Sequence, residues 1–166
     1  MNLEKAVEFM KQKHGNQKRK QGTPYYTHPL AVAELLKSKG FSEEYQLAGL
    51  FHDLIEDTNA TYEEIIALSN ENVAEAVRLV TKTDGYVMDE YIGNIKENDM
   101  ARMVKTADRI HNLSEAPSAN RKFQERYIKE TRKWFVDLAK GTVLEEDLNS
   151  ALENLIRVYE SEGIDR

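Results

Sequence analysis

The chain contains no cysteine among its 166 residues. That excludes disulfides and thiolate metal sites, so any metal must be held by imidazole and carboxylate. It has no apolar run approaching the roughly 18–20 residues a membrane-spanning helix needs. Its N-terminus, MNLEKAVEFM, is amphipathic with an early glutamate, unlike the basic-then-apolar order of a signal peptide, so a cytoplasmic protein is expected. A basic excess is missing too: 23 Lys and Arg stand against 29 Asp and Glu, a net charge of −6. This argues against nonspecific nucleic-acid binding, while leaving room for a small anionic ligand at a locally basic site. No oligomeric state can be read from the sequence. What remains is an ordinary globular composition, 40% hydrophobic and 31% charged, with a length that fits one domain over residues 1–166.

No sustained alternation of apolar and polar residues marks a strand. Apolar residues instead recur at three- and four-residue steps nearly throughout, which predicts an all-α bundle of about nine helices. Thr61 with Glu64 forms a capping-box pattern, Ser42 precedes two glutamates, and Gly40 and Gly141 stand where helices should end. Pro29 suits a first helical turn, with His28 at its edge. Two connections read as irregular: the basic loop GNQKRKQGTPYYT at 15–27 and the polar loop SEAPSANR at 114–121.

Three stretches concentrate chemistry. In LAGLFHDLIEDT (47–58), an oily helix admits His52, Asp53, Glu56 and Asp57. On a continuous helix, His52 shares a face with Glu56, and Asp53 with Glu56 and Asp57. Imidazole plus carboxylate suits Mn²⁺, Fe²⁺, Zn²⁺ or a similar ion; the plainer reading is a solvated acidic stripe with a half-buried histidine. In VKTADRIHNL (104–113), Asp108, His111 and Asn112 share a face, and Asp108 can equally be a surface residue paired with Lys105 or Arg109. The loop's Lys18, Arg19 and Lys20 can meet phosphates or stack on a base, or simply be solvated.

Taken together, His14…Gln17-Lys-Arg19-Lys20, then Thr27-His28-Pro29, then His52-Asp53 with Glu56-Asp57, then Asp108-Arg-Ile-His-Asn112 follow the layout of HD-superfamily metal phosphohydrolases. They resemble most closely the alarmone hydrolase domain of RelA/SpoT-type enzymes and its stand-alone small relatives, over roughly residues 5–116. The resemblance implies an HD-type helical bundle in which His28, His52, Asp53 and Asp108 ligate one divalent metal, usually Mn²⁺. It implies that Glu56 and Asp57 activate and position the attacking water. Arg19 with Lys20, and Asn112, would contact the nucleotide. The implied reaction removes the 3′-pyrophosphate of guanosine tetra- or pentaphosphate. The same motifs leave open another phosphorylated nucleotide, such as NADPH or an adenine alarmone, and a non-catalytic nucleotide or metal sensor. One departure is local: Gly15 follows the first histidine directly, where the family places glycine two residues after it. Past residue 116 the match becomes generic; the helices of 121–162 are expected to pack on the domain, with Arg121, Lys122, Arg126 and Lys129 on phosphates or in solvent. No synthetase domain is expected within these 166 residues.

Overall fold

A computed structural model describes residues 2–164. The helices are α1 (Leu3–His14), α2 (Thr27–Ser38), α3 (Glu43–Phe51), α4 (Leu54–Asp57), α5 (Tyr62–Leu68), α6 (Glu71–Val80), α7 (Met88–Lys96), α8 (Asp99–Glu115), α9 (Arg121–Glu130), α10 (Val136–Ala139) and α11 (Glu145–Ile164). Among the described residues there is no strand, only an isolated antiparallel bridge between Lys18 and Pro24. The all-α expectation holds. The nine expected stretches occur in order, two of them interrupted: α3 and α4 break at His52–Asp53, and a π-helical turn, Thr131–Phe135, joins α9 to α10.

The caps explain the boundaries. Thr61 Oγ1 accepts from the Glu64 backbone N–H while Glu64 reaches back to the Thr61 N–H, a complete capping box. Asn2, Asn70 and Asn120 cap α1, α6 and α9 by the same kind of bond. Ser42 precedes α3 in extended conformation without a side-chain cap bond.

The chain forms two compact units, Met1–Lys105 and Thr106–Arg166, whose boundary falls inside the unbroken helix α8. In the first unit, α3 is the central element and packs on α1, α2 and α6. Its apolar face, Leu47, Leu50 and Phe51, is buried with Val32 and Leu36 of α2 and Val77 of α6. Phe51 meets Phe9 of α1 edge-on, ring centroids 6.0 Å apart. Gly49 allows the close crossing of α2 and α3: a Cβ there would meet Leu36 Cδ1 at 3.2 Å and Val32 Cγ1 at 3.3 Å.

In the second unit, α11 packs along α9, around buried Ile128, Phe135, Leu138, Leu148 and Leu155. Arg109 is 6% exposed, its guanidinium held between the rings of Tyr127 and Phe135 at 4.0 and 3.9 Å. Gln124, fully buried, donates from Nε2 to the carbonyls of Pro117 and Ala119 at 3.1 Å each. It thereby pins the turn that leads into α9.

Candidate metal centre

The expectation of one continuous helix through 47–58 is corrected by the break after Phe51. A regular helix offers the Gly49 carbonyl to the N–H of residue 53. Here it is taken by the His52 imidazole, Nδ1 to O 2.6 Å. Asp53 then lies at φ −101°, ψ −5°, the bridge region in which many active-site residues sit. Glu56 and Asp57 fall on the separate single turn α4, so they share no continuous helical face with His52.

The same bond fixes the chemistry of His52. A carbonyl only accepts, so Nδ1 carries the proton, and in the neutral ring the lone pair is on Nε2. That Nε2 lies 3.1 Å from Asp53 Oδ2, and His28 Nε2 lies 3.7 Å from the same oxygen. The two rings meet edge-on with centroids 5.1 Å apart; His28 is 1% and His52 3% exposed. A neutral imidazole nitrogen and a carboxylate oxygen at 3.1 Å are two acceptors facing one another, an arrangement that needs a cation or a proton between them. Metal–ligand bonds of about 2.0–2.2 Å hold adjacent donors about 3 Å apart, so the donor set fits a divalent ion. On α8, Asp108 is 7% exposed.

Asp108 is buried rather than on the surface. Arg109 turns instead to its aromatic sandwich and to Glu130, 3.6 Å away, while Asn112 Nδ2 donates to Asp108 Oδ1 at 3.1 Å. Lys105 Nζ stands 5.7 Å over the Tyr91 ring, and His111 pairs with Glu115 at 2.9 Å. Glu56 accepts the backbone N–H of Lys82, anchoring the α6–α7 connection to α4. Partial desolvation, then repulsion from Asp53 and Glu56, pushes the Asp57 carboxyl up to about 6.

The basic loop is a hairpin. Arg19 N–H donates to Thr23 O at 2.9 Å and Tyr25 N–H to Gln17 O at 2.8 Å. Arg19 lies 5.8 Å from the Tyr25 ring, and Lys20 is exposed. The displaced glycine is accommodated: Gly15 takes φ +54°, and Gln17 still bridges, accepting from His14 Nδ1 at 3.0 Å and donating to Asp57 O at 2.8 Å. His14 is 2% exposed, and burial lowers its pKa.

One residue with a position in the centre escapes pattern reading, Tyr25, whose hydroxyl donates to Asp53 Oδ2 at 2.7 Å. The available signal was Tyr25 standing three residues before His28, at a helix entrance. Farther along, Arg121 donates to Tyr159 O at 2.8 Å, Arg126 faces Glu130 at 3.9 Å and Lys129 faces Glu125 at 3.3 Å. Arg121 thus ties α9 to α11, while the other two pairs are one-turn pairs within α9.

The sequence model of the HD domain family matches residues 6–91, which hold His28, His52 and Asp53. The chain belongs to the HD domain family. HD domain hydrolases bind a divalent metal, and the buried His28 and His52 are donors of the kind such a site needs. The chain is 37% identical over 145 residues to guanosine-3′,5′-bis(diphosphate) 3′-pyrophosphohydrolase of Aquifex aeolicus, a match covering 82% of this chain and 21% of that protein. It is 33% identical over 168 residues to GTP pyrophosphokinase rsh of Brucella ovis, covering 95% and 22%. This HD chain thus spans about a fifth of the length of the curated relatives it matches. A solved structure of a metazoan SpoT ortholog, described as hydrolysing ppGpp, superposes with a TM-score of 0.76 at 27% identity, covering 92% of this chain and 94% of that one. None of the described helices is long and apolar enough to cross a membrane.

Proposed function

We propose that this chain is a cytoplasmic, single-domain HD hydrolase of residues 1–166. It removes the 3′-pyrophosphate from guanosine tetra- or pentaphosphate, giving GDP or GTP and pyrophosphate. The observation that carries the metal chemistry is the lone pair of His52 Nε2 facing Asp53 Oδ2 at 3.1 Å, beside buried His28. His28, His52, Asp53 and Asp108 would hold the ion, with Mn²⁺ the preferred choice. The guanosine substrate is supported by the relatives named for that hydrolysis and by the metazoan ppGpp hydrolase, of which this chain covers nearly the whole length.

When bound, a divalent ion supplies positive charge for the phosphoryl oxygens and acidifies water. Glu56, tethered by the Lys82 N–H, accepts a proton from the attacking water, and Asp57 orients that water. The water oxygen bonds to the phosphorus next to the ribose, the bond from that phosphorus to O3′ breaks, and O3′ takes up a proton. Arg19 packs against the base with Lys20 near the phosphates, and Asn112, already bonded to Asp108, contacts the nucleotide. The hairpin is locally basic, so it attracts a polyanion despite a chain charge of −6.

The test is incubation of purified protein with guanosine tetraphosphate and Mn²⁺, with and without chelator, alongside NADPH and an adenine alarmone. Metal-dependent GDP and pyrophosphate support the proposal. Turnover of another nucleotide alone moves the substrate, and binding without turnover makes the chain a sensor.

A further inference from the structure

Tyr25 closes the basic hairpin, and its hydroxyl donates to Asp53 Oδ2 at 2.7 Å. The same oxygen faces His52 Nε2 and His28 Nε2 at 3.1 and 3.7 Å. The terminal torsion of an aspartate is broad and nearly two-fold, so its own rotamer preference scarcely distinguishes one carboxylate oxygen from the other. An external donor can, and here the phenol is that donor.

The ring carrying the hydroxyl is itself held. It lies 4.8 Å from the buried His14 ring and meets the His28 ring edge-on at 6.1 Å. Its backbone N–H is tied to Gln17 O, and Gln17 links His14 to the Asp57 carbonyl. The end of α1, the hairpin and the end of α4 therefore converge on one phenol.

We propose that Tyr25 is a positioning residue that acts through Asp53: its hydroxyl holds Oδ2 in the orientation that takes a divalent ion, and the His14 face holds the ring in place. This rests on Asp53 being a metal ligand, as in the function proposed above. Outer-shell donors of this kind are worth roughly 10–100-fold in metal affinity. Tyr25→Phe keeps the ring, so the His14 and Arg19 contacts persist and only the hydroxyl is lost.

The experiment measures the Mn²⁺ dissociation constant, from the electron paramagnetic resonance signal of free Mn²⁺, on chelator-stripped wild type, Tyr25→Phe, Asp53→Asn and the double variant. Tyr25→Phe should bind roughly 10–100-fold more weakly, and the double variant no more weakly than Asp53→Asn alone. Raising Mn²⁺ should restore Tyr25→Phe turnover with the KM for nucleotide unchanged; a merely structural lesion is not cured by metal. A Tyr25→Phe affinity within about threefold of wild type, an equal loss in the Asp53→Asn background, or turnover that excess Mn²⁺ fails to restore overturns the inference alone. Wild-type protein that binds no Mn²⁺ overturns the metal reading and the inference with it.

Discussion

Replacing Glu56 by glutamine separates proton transfer from metal binding and from folding. The glutamine amide has nearly the volume of the carboxyl, and its oxygen can accept the same Lys82 N–H that now anchors α4 to the α6–α7 connection. Nothing in the His28–His52–Asp53 cluster changes, since Glu56 stands on the separate turn α4. Only the ability to take the proton of the attacking water is removed. General-base catalysis contributes about 10²–10⁴-fold, or roughly 3–5 kcal/mol of barrier at about 1.4 kcal/mol per decade. Glu56→Gln should therefore release pyrophosphate from guanosine tetraphosphate about 10²–10⁴-fold more slowly at saturating Mn²⁺, with wild-type Mn²⁺ affinity and melting temperature. Turnover within about threefold of wild type would remove Glu56 as the base. Loss of metal together with activity would instead place its carboxyl among the ligands.

Three further outcomes follow from local geometry. Asp57 is pushed up to about 6, well above the value of an unfolded aspartate, so the metal-free fold holds its proton more tightly than the unfolded chain does. Keeping it ionised costs stability fully above about pH 6, and less as pH falls toward the unfolded value. Asp57→Asn should thus raise the melting temperature in chelator most at about pH 7.5 and least near about pH 5; the opposite trend contradicts the cause assigned. Thr61→Ala removes half of the α5 capping box and should cost about 1 kcal/mol in a denaturant melt; an unchanged midpoint would show the cap contributes nothing. Arg109→Lys keeps the charge but loses the planar stack between Tyr127 and Phe135, an expected loss of about 1–2 kcal/mol, and an unaltered melt would refute that role.

Helix starts and stops were legible because caps are short-range: the Thr61–Glu64 box and the glycines at 40 and 141, with φ +84° and +78°, act within a few residues. The break at His52–Asp53 was not legible. Apolar periodicity reads straight through it, while the cause is a side-chain bond from His52 to the Gly49 carbonyl that competes with the backbone ladder. The π-helical turn at Thr131–Phe135 escaped for a similar reason, since one extra residue in a turn leaves the apolar pattern nearly intact. Residue types and spacing alone leave His28 an ordinary histidine and Asp108 a surface residue; it is the resemblance to the alarmone hydrolases that nominates them with His52, and His28 and His52 meet edge-on in the buried interior. Tyr25 was not nominated because its importance lies in one hydroxyl bond to a residue 28 positions away.

Counting metal on the protein tests the site most directly. Chelator-stripped chain titrated with Mn²⁺ should bind one ion per chain, and His52→Ala, which removes the Nε2 facing Asp53, should abolish that tight site while the helical circular-dichroism signal persists. No stoichiometric Mn²⁺ on the wild type, or an undiminished site in His52→Ala, would contradict it.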